Sequence, residues 1–253
     1  MQRFQYKDLG VVILAAGKGT RMKSSLPKVL HKVGSQTMIS HVINVVQKIS
    51  QDNIYVVIGH ESLKVKKEVN KFFKVNFVTQ KKLLGTADAI KAAIPAIKPK
   101  IKDVLVLCGD VPLIQPQTLK DLINKHRQKN ASLSLLVVRI DDPKGYGRII
   151  FDEKGNLVDI KEELDATEGE RKINTINTGI YCFDKKFLEF SINFIKPDNK
   201  KKEYYLTDIV KIAKEQNQKV IYSLTQNPFQ VLGINTQAEL VSAEKLLQNV
   251  GYV

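Results

Sequence analysis

Two kinds of hydrophobic pattern alternate along the chain. Val11–Leu14, Ile54–Ile58, Val75–Thr79 and Asp103–Cys108 are short, nearly unbroken apolar runs, which predict buried parallel strands. Between them, apolar residues return every three or four positions. Met38, Ile39, Val42, Ile43, Val46 and Ile49 predict an amphipathic helix over Thr37–Ile49. A second helix is expected over Ser62–Phe73 with Ser62 as N-cap, and a third opens at Gly85-Thr86, with Thr86 able to cap it, and stops at Pro95. Pro116–Lys129 reads as a helix and Ser132–Ile140 as a strand. Repeated strand–helix alternation predicts an α/β fold: a mostly parallel sheet with helices on both faces.

The pattern changes near Asp141. Arg148–Phe151 and Leu157–Glu163, separated by Asp-Glu-Lys-Gly-Asn, predict a β-hairpin. Ile173–Phe183 is a long strand, Asp184–Phe190 and Leu206–Glu215 are helical, and Lys219–Leu224 is a strand. Lys196–Lys202 is a charged loop, Val231–Asn235 a short strand end, and Thr236–Gln248 a final amphipathic helix. No internal repeat and no long linker divides the chain. The expected organisation is one domain over residues 1–235, with a first half to about 140, a second half from 141 carrying a small antiparallel β lobe, and a C-terminal helix over 236–253.

Composition narrows the class of protein. At 253 residues and 43% hydrophobic, the chain can bury a full core. No apolar run approaches the ~20 residues of a membrane span, and the first eight residues lack the apolar stretch of a signal peptide. Cys108 and Cys182 sit in apolar runs without metal-ligand spacing and read as reduced core residues. A cytoplasmic location is expected. The net charge of +14 is mostly lysine on predicted helix faces, such as Lys64, Lys66, Lys67 and Lys71. It comes without a nucleic-acid motif, so no nucleic acid and no membrane is expected as partner. Between Asp152 and Glu170, eight acidic residues face only Lys154 and Lys161. That reversal suits a metal or sugar hydroxyls better than a phosphate backbone.

Candidate chemistry begins at Leu14-Ala-Ala-Gly-Lys-Gly-Thr-Arg-Met-Lys-Ser-Ser-Leu-Pro-Lys28, directly after the first strand. A loop at the carboxyl end of a strand in an open α/β sheet lies where such sheets bind ligands. Gly17 and Gly19 let backbone N–H groups approach phosphate, and Lys18, Arg21, Lys23 and Lys28 suit several phosphates. The loop is neither a dinucleotide fingerprint, which would need glycine at Met22, nor a Walker A motif. An ordinary βα turn would carry the same glycines. Further strand ends add Gln80 and Leu84-Gly85-Thr86-Ala87-Asp88, then Gly109-Asp110-Val-Pro, whose carboxylate could hold Mg²⁺ with phosphate oxygens. Gly145-Tyr-Gly147-Arg precedes the hairpin, Glu162, Asn177 and Thr178 lie on strands, and Val231-Leu-Gly-Ile-Asn235 ends in another oxygen donor.

The ordered series Gly-x-Gly-Thr-Arg-Met…Leu-Pro-Lys resembles the signature of the sugar-phosphate nucleotidyltransferases. Val12–Lys28, Gly85-Thr86, Gly109–Ile114, Asp142–Ile149, Asp165–Thr167, Ile176–Ile180, Glu203–Ile209 and Gly233–Asn235 extend the resemblance over nearly the whole chain. Within the family it is most similar to uridylyltransferases of N-acetylglucosamine-1-phosphate. The resemblance implies a Rossmann-like nucleotide-diphospho-sugar transferase fold and Mg²⁺-dependent transfer of UMP from UTP to a sugar-1-phosphate, giving a cell-wall precursor. It implies that Leu14, Ala15, Gly17, Gly19, Gln80, Gly85 and Thr86 hold the nucleotide. Arg21 and Lys28 would act on the phosphates as catalytic residues, and Asp110 and Asn235 on Mg²⁺. Gly147, Glu162, Asn177 and Thr207 would hold the sugar.

Three positions depart from the family pattern: Asp88 replaces histidine, Leu164 replaces lysine, and Cys108 stands where an aromatic is common. No hexapeptide repeat follows Val253, so no β-helix acetyltransferase domain and no trimer built by one is expected; a monomer or weak dimer is. Two other functions stay open at this point: uridylyl or thymidylyl transfer to another sugar-1-phosphate, and a non-catalytic nucleotide-sugar sensor or regulatory subunit.

Overall fold

A computed structural model describes residues 6–249; the expected domain limits at residues 1–5 and 250–253 lie outside the described residues. Seven strands form the path of the main sheet: β1 (Leu9–Ala15), β4 (Ile54–Ile58), β5 (Asn76–Thr79), β6 (Asp103–Cys108), β7 (Leu133–Arg139), β10 (Thr175–Asp184) and β11 (Val220–Thr225). Their spatial order is β11-β7-β10-β6-β1-β4-β5. All run parallel except β10, which is antiparallel to both of its neighbours. The expected hairpin is present as β8 (Arg148–Phe151) and β9 (Leu157–Lys161), joined to β10 at Ile176.

Alternation along the strands sends side chains to two cores. Val11, Ile13, Ile54, Val56, Leu105 and Leu107 face one side, and Val12, Tyr55, Val57, Val104 and Val106 the other. Helices α1 (Met38–Gln47), α2 (Ser62–Val69) and α4 (Pro116–Gln128) cover the first face. Helices α3 (Thr86–Ala93), α6 (Lys185–Ser191) and α7 (Ile209–Glu215), with the hairpin, cover the second. Burial on both faces is why these strands read as continuous apolar runs. Helix α8 (Gln237–Asn249) closes a third, small core with Val33, Met38, Leu113 and Ile234.

Several local expectations are corrected. Ser62 is the first helical residue of α2, and Glu61 (φ 53°) precedes it without a side-chain cap, because the turn from Gly59 reverses the chain one residue earlier. Thr86 likewise does not cap α3; Gly85 occupies that place, and the Thr86 hydroxyl instead accepts the Leu206 N–H at 3.0 Å. Val231–Asn235 is not a strand. It crosses the rim of the sheet, where the Ile234 N–H bonds to the Asp110 carbonyl at 2.9 Å, and no ladder takes it up. A two-residue ribbon, β2 (Lys32–Val33) with β3 (Gln36–Thr37), and the single turn α5 (Glu168–Arg171) are too short to mark the sequence pattern.

The path leaves β1 for β4 and β5 on one side, then returns to β6 on the other. The crevice outside the carboxyl ends of β1 and β6 is therefore a topological switch point, where α/β sheets place ligands.

Candidate active site

A cleft of about 520 Å³ opens at this switch point, lined among others by Leu14, Ala15, Gly17, Gly19, Lys28, Gln80, Gly85, Thr86 and Asp110. Nine of the expected residues thus line one cleft. Gly19 is required there: its φ is +63°, and a Cβ would stand 2.5 Å from the Lys28 Cβ. The glycine lets the loop fold back on the lysine that follows Pro27.

At the floor, Lys28 Nζ donates to an Asp110 carboxylate oxygen and, at 2.9 Å, to Asn235 Oδ1. Arg21 Nη2 also donates to Asn235 Oδ1, at 2.8 Å. Asn235 is oriented by its own Nδ2–H on the Gly233 carbonyl, 2.9 Å, and Glu239 accepts its backbone N–H. Gly233 passes so close to Asp110 that a Cβ would lie 3.3 Å from the carboxylate. Both expected catalytic residues and both expected metal ligands are therefore brought together, from three separate segments: the loop that carries Arg21 and Lys28, the end of β6 and the stretch before α8.

At the other end, Gln80 is buried, and its Nε2 donates to the Gly85 carbonyl at 3.0 Å and to Asp88 Oδ2 at 2.8 Å. Gly85 (φ 117°) is held against Tyr204 by two backbone bonds, Tyr204 N–H to Leu84 and Ala87 N–H to Tyr204. A Cβ at Gly85 would be 2.5 Å from the Tyr204 carbonyl oxygen.

The four expected sugar residues form a second group beside the cleft and do not line it. Thr207 Oγ1 donates to Glu162 Oε1 at 3.2 Å, and Asn177 N–H donates to the Gly147 carbonyl at 2.8 Å. A Cβ at Gly147 would lie 3.4 Å from Glu162 Oε1. Asn177 sits in a β-bulge turned by Gly179 (φ 75°), and its side chain donates to the Tyr181 hydroxyl at 2.6 Å. Burial raises the Glu162 carboxyl above the usual carboxylate range, with the Thr207 hydrogen bond opposing. Burial also pushes Asp208, next to Thr207, up to about 6, with Asp159 and Glu162 adding to it. Tyr146, next to Gly147, is partly buried. Burial takes its hydroxyl up to about 12, Glu239 and Asp110 add to that, and Arg21 opposes.

Cys108 is a correction. It is partly exposed and lines the cleft instead of lying in the core. Burial and the Asp110 charge push its thiol up to about 12, so it is no nucleophile at neutral pH. Cys182 is buried and unpaired, as expected. Glu203 and Asp88 belong to the site's surroundings and were not singled out for a role from sequence. Arg148, expected at the end of the glycine turn and the start of the hairpin, is fully buried, bridging Glu163 at 2.7 Å and the Tyr146 carbonyl, and so anchors the hairpin under Gly147. Among the described residues no helix is long and apolar enough to cross a membrane.

A family model described as nucleotidyl transferase matches residues 10–228. The chain is 43% identical over 241 residues to the bifunctional protein GlmU of Geotalea uraniireducens, covering 95% of this chain and 53% of that protein. It is 43% identical to the same-named protein of Desulfotalea psychrophila, covering 70% of it, and 45% identical to that of Pelotomaculum thermopropionicum, covering 52%. The chain thus spans little more than half the length of most relatives it matches. A crystal structure of a candidate glucose-1-phosphate thymidylyltransferase from Bacillus anthracis, in complex with sucrose, shares the fold at a TM-score of 0.74 and 19% identity, over 95% of this chain and 96% of that one.

Proposed function

From the premise that the chain belongs to the nucleotidyl transferase family, we propose that it transfers UMP from UTP to N-acetylglucosamine-1-phosphate, releasing pyrophosphate. The observation that carries this reading is the convergence of Lys28, Arg21, Asp110 and Asn235 at the switch-point cleft. The oxygens of Asp110 and Asn235 are a carboxylate and a carboxamide, hard donors of the kind Mg²⁺ takes together with phosphate oxygens. The Lys28 ammonium lies between them, so a cation already stands where the metal would be held. Bound there, Mg²⁺ would neutralise charge on the nucleotide's phosphates.

The reaction needs little covalent help from the protein. An oxygen of the sugar phosphate attacks the α-phosphorus in line, the bond to the β-phosphate oxygen breaks, and pyrophosphate leaves. Positioning and charge compensation do the rest. Lys28 would turn from Asp110 to the α-phosphate and the incoming sugar phosphate. Arg21, exposed at the mouth, would take the charge that grows on the leaving pyrophosphate. The loop from Leu14 to Gly19, with Gln80, Gly85 and Thr86, would hold the nucleotide. Gly147, Glu162, Asn177 and Thr207 would hold the sugar from the adjoining wall.

The test is pyrophosphate release with Mg²⁺ over a grid of UTP, dTTP, CTP and ATP against N-acetylglucosamine-, glucosamine- and glucose-1-phosphate. Turnover confined to UTP with N-acetylglucosamine-1-phosphate is expected. Preference for another sugar would move the assignment to a sister activity. Nucleotide binding without turnover on any pair would make the protein a sensor.

A further inference from the structure

We propose that Asp88 is a positioning residue that fixes the Gln80 side chain with its carbonyl oxygen facing the cleft, so that the base site selects a pyrimidine with a ring N–H, uracil or thymine, over cytosine. The inference rests on reading this cleft as a nucleotide site.

Rotating a glutamine amide by half a turn exchanges a donor for an acceptor at almost no steric cost, so the environment must decide which end a ligand meets. Two groups decide it here. The Gly85 carbonyl and the Asp88 carboxylate both approach the same end of Gln80, at 3.0 and 2.8 Å. A carbonyl and a carboxylate are acceptors only, so that end is the NH₂, and both of its hydrogens are taken. Oε1 has no hydrogen bond among the described residues, yet it is not one of the solvent-sealed atoms left unpaired. Gln80 is 5% exposed, and the surface it keeps lines the cleft. Its one open function is therefore an acceptor.

The positive φ of Gly85 and its contact with Tyr204 fix the carbonyl. Asp88 stands in the first turn of α3, where a carboxylate also suits the helix dipole. Uracil carries an N–H between two carbonyls and can donate to Oε1. Cytosine has a bare ring nitrogen at that position and would set lone pair against lone pair. A site built around a substrate N–H rejects the analogue that lacks it, because its own polar group is left unpaired.

The experiment measures kcat/KM for UTP and CTP, and separately calorimetric binding of both nucleotides with Mg²⁺, in the parent chain, Asp88→Ala and Asp88→Asn. The parent should prefer UTP at least ~10-fold, in line with one hydrogen-bonded discriminating contact. Asp88→Ala should narrow the UTP:CTP ratio at least ~5-fold, mainly through KM for UTP, as the amide loses one of its two orienting acceptors. Asp88→Asn keeps an oxygen acceptor and should restore the ratio to within ~2-fold. A merely structural role would lower both nucleotides together and leave the ratio standing, which would overturn the proposal. Binding of 3-methyl-UTP to the parent chain adds a check that needs no variant: loss of at least ~10-fold is expected, and binding equal to UTP refutes the orientation. If no pair in the grid turns over but binding keeps this selectivity, the transferase reading fails and the role of Asp88 stands.

Discussion

Replacing Lys28 by alanine separates its two roles. Without nucleotide, the ammonium pairs with Asp110 and Asn235; the Lys28 and Asp110 side chains are only 17% and 12% exposed. Removing one partner of a fully buried pair costs about 3–5 kcal/mol. The residual exposure, and Arg21 still bonded to Asn235, bring the expected loss of stability to roughly 2 kcal/mol. In the reaction, the lost donor would have met charge growing on phosphate, an interaction whose removal typically lowers kcat about 10²–10³-fold. The metal moves the other way. With no ammonium between Asp110 and Asn235, Mg²⁺ alone should raise the melting temperature of Lys28→Ala more than that of the parent. Melts with and without Mg²⁺, and pyrophosphate release at saturating substrates, measure all three effects. A kcat within ~10-fold of the parent, below the usual effect of such a donor, would remove Lys28 from the reaction. Equal Mg²⁺ shifts in both chains would mean that the ammonium does not stand in the metal's place.

Glu162→Ala should raise KM for the sugar phosphate well above its effect on KM for UTP, because Glu162 and its partner Thr207 lie outside the switch-point cleft; equal rises would displace the proposed sugar wall. Gly85→Ala should do the reverse, weakening UTP, since its Cβ would press within 2.5 Å of the Tyr204 oxygen at a φ of +117°; an unchanged KM for UTP would show that the loop is not a base site. Asp208→Asn should stabilise the protein at pH 7 and not at pH 4. The folded carboxyl titrates at about 6 against an ordinary 3.8, so the folded state keeps a proton that the unfolded chain loses, and stability falls as pH rises between the two values. The gain at pH 7 should be about 1–2 kcal/mol, below the full linkage value because the group is partly solvated. Paired denaturant curves at the two pH values measure it, and equal gains at both would refute the assigned cause.

What could be read from sequence follows from how far each feature depends on distant chain. The runs of β1, β4 and β6 were legible because both sheet faces are buried, and the glycine–lysine loop because its residues are neighbours. Asp110 was legible as a carboxylate at a strand end, and its meeting with Lys28 was reached only through a family resemblance. The ammonium joins groups 82 and 207 positions away, a closure that no local pattern records. Asp88 failed differently. Its partner Gln80 is only eight positions away, but the two meet because the chain turns from β5 into α3 between them. By composition alone Asp88 was merely an acid in a helix. Cys108 misled because an apolar run does not say which of its ends opens on a cleft.

The direction of β10 was the most consequential thing the pattern left out. Ile173–Phe183 reads as a long strand whichever way it runs, since alternation carries no direction. Yet the direction decides where the residues proposed to hold the sugar lie. Antiparallel to β6, β10 pairs Asp184 with Asp103 at the amino end of the parallel strands, and its first residues, Thr175 to Asn177, lie at the carboxyl end, with Asn177 beside Gly147 and Gly179 against Cys108. A parallel strand in the same slot would put Asn177 where Cys182 now stands, five residues or about 17 Å away, towards the opposite edge. The bulge at Gly179 and the hairpin that pairs with Ile176 would travel with it. The proposed reaction joins a sugar phosphate to a nucleotide phosphate and so needs both groups of residues on one rim. The single reversed strand brings Asn177 to the rim that carries Lys28 and Asp110.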